Sequence, residues 1–237
     1  MSDMHGPDSG HSLLGSRRTF VLADIHGRFC ALRQVLDRSG FDPDTDLLII
    51  LGDIVDFGPE TKECVDLLIS VPDKVVLLGN HDFWFLYWAT TGEVKPEWRF
   101  QGGYQTMRSY GFKWEGIPDA HLSFFNETFY YYRNAHNQLY VHGGFNPYLP
   151  IVSQTPHDLI WNRSLVDYAL DFEIPEYSHI FVGHTRTQRF RKDVPLTFHN
   201  LTMCDTGAGR DGYLSIVNAD TLEFWQSEQL SFPRIMG

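Results

Sequence analysis

Cysteine is scarce in this chain: Cys30, Cys64 and Cys204 lie far apart, odd in number and without a CxxC pair. Neither a disulfide framework nor a zinc ribbon is suggested, and each thiol reads as core packing in a reducing cytoplasm. Positive charge is also in short supply, with 19 Lys and Arg against 30 Asp and Glu and a formal net charge of -11. That balance argues against broad attachment to nucleic acid or to an anionic membrane, while leaving room for a small basic pocket. Long apolar runs are missing as well. No uncharged stretch approaches the ~18 residues that span a bilayer, and the first residues lack the apolar centre of a signal peptide. Low-complexity segments and internal repeats are absent.

What remains is the composition of an ordinary globular protein, 237 residues with 43% hydrophobic and 21% charged, long enough for one sizeable core. Residues 1–17, rich in Gly, Ser and Asp without periodicity, read as a flexible tail in which His5 and His11 are inert. Residues 18–237 read as a single domain. It begins in βαβ rhythm: "TFVLAD", then "RFCALRQVLDR" with Phe29, Leu32 and Leu36 on one helical face, then "DLLIILGD". A second helix is expected from Pro59, carrying Val65, Leu68 and Ile69 inward, before "DKVVLLGNHD" returns as a strand. Residues 83–118 break the pattern with eleven aromatics and read as a helical insert that helps to shape a pocket, its rings mostly core. The remainder reads as mostly β, with "TFYYYRNAHNQLYVHGG" as a hairpin around a polar turn.

Five aliphatic runs stop on a residue able to bind a metal: "FVLAD" on Asp24, "LLIILGD" on Asp53, "VVLLGN" on Asn80, "LYVH" on His142 and "IFVGH" on His184. Taken singly, each has an ordinary use as a helix cap, a turn former or a packed histidine. Taken together they point to one place, because strands joined by crossover helices bring their carboxyl ends to a common crevice. Oxygen and nitrogen donors without thiolate suit manganese, iron or zinc, and a strand-end carboxylate can bridge two such ions. Two divalent ions ~3.5 to 4 Å apart clamp an in-line displacement at phosphorus and generate hydroxide near neutral pH. Glycines beside the ligands, among them Gly79 and Gly183, let the backbone approach closely.

The ordered set "ADIHG" (23–27), "GDIVDFG" (52–58), "GNHD" (79–82), "HGG" (142–144) and "GHT" (183–185) resembles the motifs of the phosphoprotein phosphatase family within the calcineurin-like metallophosphoesterases. "GGYQTMRSYG", "LIWNR" and "DTGAG" are similar to segments of the small bacterial and phage members, including the phage lambda type. The resemblance covers nearly everything after residue 18. It implies an α/β fold with a central β-sandwich of two mixed sheets flanked by helices, and hydrolysis of a phosphoester at two divalent ions, most readily manganese. Position by position, it implies Asp24 and His26 on one ion, Asn80, His142 and His184 on the other, and Asp53 between them. His81 becomes the general acid, Asp56 the carboxylate that orients it, and Arg163 a contact to the substrate phosphate through its forked guanidinium.

The chain departs from that family at Ala23, at Asp82 where a glutamate with a structural part is usual, and at Phe57 where an arginine clamps phosphate. Phenylalanine offers neither charge nor hydrogen bond, and a lost charge-assisted contact is worth ~1.5 to 3 kcal/mol. Arg28 and Arg186, next to the first and last motifs, are the expected substitutes. The leading expectation is a Ser/Thr-type protein phosphatase or related phosphomonoesterase acting on a phosphorylated substrate. The alternatives are a bis(5'-nucleosyl)-tetraphosphatase, a phosphodiesterase and a non-catalytic phosphate-binding interaction module.

Overall fold

Strands form where aliphatic residues must be covered on both faces, and alternate side chains show which layer covers them. The computed structural model describes residues 17–231. The expected tail, with His5 and His11, falls outside that range apart from Arg17, which pairs with Asp73.

The first sheet has the order β10-β9-β1-β2-β3, with β1 (Thr19–Leu22), β2 (Leu47–Ile50) and β3 (Lys74–Val76) parallel and β9 (Ser215–Asn218) and β10 (Phe224–Gln226) added antiparallel. The second has the order β4-β5-β6-β8-β7. In it β5 (Gln138–Val141), β6 (His179–Val182) and β8 (Leu201–Met203) run parallel, while β4 (Tyr131–Arg133) and β7 (Leu196–Phe198) are antiparallel edges. The expected hairpin is the β4–β5 pair.

On β1 and β2, Phe20, Leu22, Leu48 and Ile50 enter the first core, under α1 (Phe29–Arg38) and α2 (Thr61–Ser70). Their neighbours Val21 and Ile49 instead meet Tyr140 and Phe181 of the second sheet, two rings stacked 5.1 Å apart at 8°. The far face of the second sheet packs Val141 and Val182 against Leu159 and Leu165. The layers are therefore helix, sheet, sheet, helix, as the sequence suggests.

Two boundaries and one stretch of secondary structure differ from the expected ones. The second helix begins at Thr61 rather than Pro59, because Gly58 and Glu60 donate their N–H groups to the carbonyls of His26 and Gly27 and hold this stretch as a turn. The helical insert starts at the "GNHD" motif, with α3 (Asn80–Thr91), and runs through α4 (Pro96–Trp98), α5 (Tyr104–Ser109) and α6 (Asp119–Asn126). Phe85, Trp88, Trp98, Tyr110 and Phe125 all join the first core, so these rings are packing. The second half also holds two helices that a mostly β reading passed over, α7 (Pro156–Trp161) and α8 (Ser164–Ala169). The signal was present in "TPHD": Thr155 accepts the Asp158 N–H in a capping box, and Pro156 opens the helix.

Candidate active site

The carboxyl ends of β1, β2, β5 and β6 meet at one end of the sandwich, and the loops leaving them interlock. His26 N donates to Asp53 O at 2.9 Å and Gly27 N to Ile54 O at 2.8 Å. Across the sheets, His142 Nδ1 bonds Leu51 O at 2.7 Å and the His184 N–H reaches both Asp24 oxygens at 3.0 and 3.1 Å. Asp24, His26, Asp53, Asp56, Phe57 and His184 all adopt the left-handed region, with φ between 52° and 76°. Such residues cost ~1 to 3 kcal/mol each and persist where surroundings over-determine them, which happens mainly at functional sites. One determinant is Asp82, whose carboxylate accepts the N–H groups of Asp53 (2.7 Å), Ile54 (2.9 Å) and Gly79 (3.1 Å). Burial, followed by the charge of Asp53, nonetheless raises the Asp82 carboxyl to about 7.

Two glycines make space for the acids. A Cβ on Gly79 would collide with the Asp53 carboxylate, and one on Gly183 with that of Asp24.

The donors form two buried sets that share Asp53: Asp24, His26 and Asp53 in one, Asp53, His142 and His184 in the other, with donor atoms within 4.8 Å of one another in each. Each imidazole is prepared to offer a lone pair. His26 Nδ1 lies 2.8 Å from Val55 O, so that nitrogen carries the proton and Nε2 faces Asp53 Oδ2 at 3.9 Å. His142 is fixed likewise on Leu51 O, leaving Nε2 before Asn80 Oδ1 at 3.1 Å and Asp53 Oδ1 at 3.5 Å. His184 Nε2 is buried with no hydrogen-bond partner among the described residues. Burial lowers all three, His26 to about 3, so each is neutral. Meanwhile burial and neighbouring acids push Asp24 well up, and burial raises Asp205 to about 6. Convergent lone pairs and mutually repelling buried acids are what a divalent cation satisfies, and the residues present fit a pair of them.

His81 stands beside this cluster. Its Nδ1 is 2.6 Å from Asp56 Oδ2 and its Nε2 4.0 Å from Asp53 Oδ2. Burial opposes its charge, but Asp53 and then the bond to Asp56 outweigh that and raise it to about 9. Asp56 is fully buried and also takes the Trp98 indole N–H at 2.7 Å and the Thr106 hydroxyl at 2.6 Å. Thus the insert supplies two supports of the His81–Asp56 pair that the sequence reading did not single out.

A cavity of about 180 Å³ opens over the cluster, lined by Asp24, His26, Asp53, His81 and His184 together with Phe57, Gln101, Arg163, Arg186, Asp205 and Arg210. Of the three arginines expected at the phosphate, Arg163 and Arg186 reach it; Arg163 is steadied by His184 O and the Thr185 hydroxyl. Arg28 does not line it, because its Nε is bound to Ala208 O at 3.1 Å. Arg210 was missed: its guanidinium lies 5.1 Å from the centre of the Phe57 ring, and that ring sits 4.8 Å from His26 and 5.3 Å from His81. Asp205 was missed too, although "DTGAG" marked its segment.

Comparison with known proteins agrees with this geometry. Over 74 residues, 31% of the chain, it is 39% identical to a symmetrical bis(5'-nucleosyl)-tetraphosphatase of Aromatoleum aromaticum. The chain matches only about a quarter of that relative's length, 27%. A provisionally named diadenosine tetraphosphatase of solved structure superposes with a TM-score of 0.69 at 20% identity, over 90% of this chain and 94% of the other. A cold-active protein-tyrosine phosphatase of a psychrophilic Shewanella superposes with a TM-score of 0.61 at 15% identity, over 94% and 83%. These low identities carry the fold alone. The family description "calcineurin-like phosphoesterase" matches residues 17–202, and with the two ligand sets converging on Asp53 the chain belongs to that family.

Proposed function

We propose that the protein is a two-cation phosphohydrolase whose substrate is a dinucleoside tetraphosphate, cleaved to two nucleoside diphosphates. The observation that carries the chemistry is Asp53, shared by two otherwise separate donor sets. The identity to symmetrical tetraphosphatases supports the substrate, favouring that alternative over the Ser/Thr protein phosphatase expected first. Manganese, iron or zinc suits the donors, manganese being the ion to supply first. Bound there, the pair would supply Lewis acidity at a phosphoryl oxygen and lower the pKa of a water.

The remaining steps belong to the chain. Asp24, His26 and Asp53 hold one cation, and Asp53, Asn80, His142 and His184 the other. His81 Nε2, which faces the cluster, gives its proton to the departing oxygen, while Asp56 fixes Nδ1 and stabilises the imidazolium. Arg163 and Arg186 orient the phosphate.

A monoester remains the second reading, favoured by a cavity of about 180 Å³ that suits one phosphoryl group. The manganese-loaded protein should show a higher kcat/KM for diadenosine tetraphosphate than for p-nitrophenyl phosphate or a phosphopeptide, with ADP the sole product. Turnover of monoesters alone would remove the dinucleotide reading.

A further inference from the structure

A second cavity, of about 450 Å³, adjoins the first and is lined by Arg186, Gln188, Arg210, Asp211 and Gly212. Arg186 and Arg210 line both, whereas Arg163 lines only the first. In a chain with 11 more acids than bases, two exposed guanidiniums at one passage are a local reversal of charge. Neither has an ion-pair partner among the described residues. The one carboxylate in the groove, Asp211, interacts with Arg28, which moderates its repulsion of an anion.

Arg210 is placed by Phe57. The ring has one neighbour in the His26 imidazole, at 89° and 4.8 Å, and another in the guanidinium 5.1 Å from its centre. Its backbone N–H bonds Gly102 O at 3.4 Å, which ties the platform to the insert. A guanidinium laid over a ring keeps its forked N–H groups free at the edge for a phosphate. The position that carries an arginine in the resembling phosphatases thus serves here as the seat of an arginine from another loop, displaced toward the second cavity.

We propose that Arg186 and Arg210, the latter seated on Phe57, form a second anion subsite that takes the phosphate group adjoining the one under attack in a polyphosphate chain. This rests on the reading above only for the identity of the substrate; the subsite itself requires two linked phosphates.

Calorimetry on the manganese-loaded protein with orthophosphate and with imidodiphosphate, whose P–N–P link resists hydrolysis, tests it without turnover. Arg210→Ala should raise the ratio of the imidodiphosphate to the orthophosphate dissociation constant about tenfold, the size of a lost charge-assisted bond. Arg186→Ala, at a residue that lines both cavities, should weaken both ligands and raise the ratio by less than Arg210→Ala, and Arg33→Ala, on the remote helix α1, should leave the ratio alone. An unchanged ratio in Arg210→Ala, including an equal weakening of both ligands, overturns the subsite. Phe57→Leu should raise the ratio about threefold, and by nothing further once Arg210 is alanine; an additive loss overturns the role of the ring. If the wild type turns over monoesters only while the Arg210→Ala shift persists, the dinucleotide reading falls and the subsite stands.

Discussion

On the floor of the cavity, Asp24, Asp53, His142 and His184 are at most 6% exposed and hang from the ends of four strands in two sheets. On its rim, Arg186 and Arg210 are exposed and stand on loops, one of them held by a ring instead of the backbone ladder. The floor is cross-linked: four residues donate to or accept from groups in another strand-end loop, and the backbone of three of them, Asp24, Asp53 and His184, is held in a conformation that costs free energy. The rim has few such ties. The proposed chemistry thus rests on the part of the fold least able to shift, and the proposed choice of substrate on the part most able to.

That contrast can be broken at the floor or sharpened at the rim. Asp53→Asn should have the largest effect, removing both cations and turnover together, because one carboxylate serves both donor sets; two bound metals and full rate, measured by elemental analysis and assay, would contradict it. His81→Ala should retain the metals and slow hydrolysis of a phosphoserine peptide, an alkyl monoester, by ~10² to 10⁴. The loss should be smaller for diadenosine tetraphosphate, whose departing ADP needs less protonation, so an equal loss for both substrates would count against proton donation. Trp98→Phe, which deletes one N–H to Asp56 while keeping a ring in the core, should lower kcat about fivefold with little change in KM. A change confined to thermal stability would mean that the indole only packs. Phe57→Arg should shift KM by less than about threefold where Arg210 is present, and should lower KM in the Arg210→Ala background, as a substitute cation. A large gain with Arg210 in place would mean that the rim holds too little positive charge.

The same division explains what could be read from residues alone. Strand ends converge by topology, so Asp24, Asp53, Asn80, His142 and His184 were visible as the last letters of aliphatic runs, and the sandwich followed from the motifs that contain them. Trp98 and Thr106 meet Asp56 across 42 and 50 residues, through helices whose pattern specifies burial and leaves the buried partner open. Arg28 was expected at the phosphate because it follows "DIHG", but the carbonyl of Ala208 had a prior claim on its Nε. Arg210 carries no local mark. It gains its position from a ring that the sequence presented only as a loss.

Gly79 and Gly183 carry no charge and no side chain able to bind a cation, yet the carboxylates of Asp53 and Asp24 occupy the volume where their side chains would be. For anyone redesigning the protein, each acid and its glycine form one unit of substitution, since a side chain at Gly79 or Gly183 would displace the acid as surely as a change to the acid itself. A variant that keeps both donor sets must therefore keep two residues that contribute no donor atom, whereas Arg186 and Arg210 can be exchanged without touching either set.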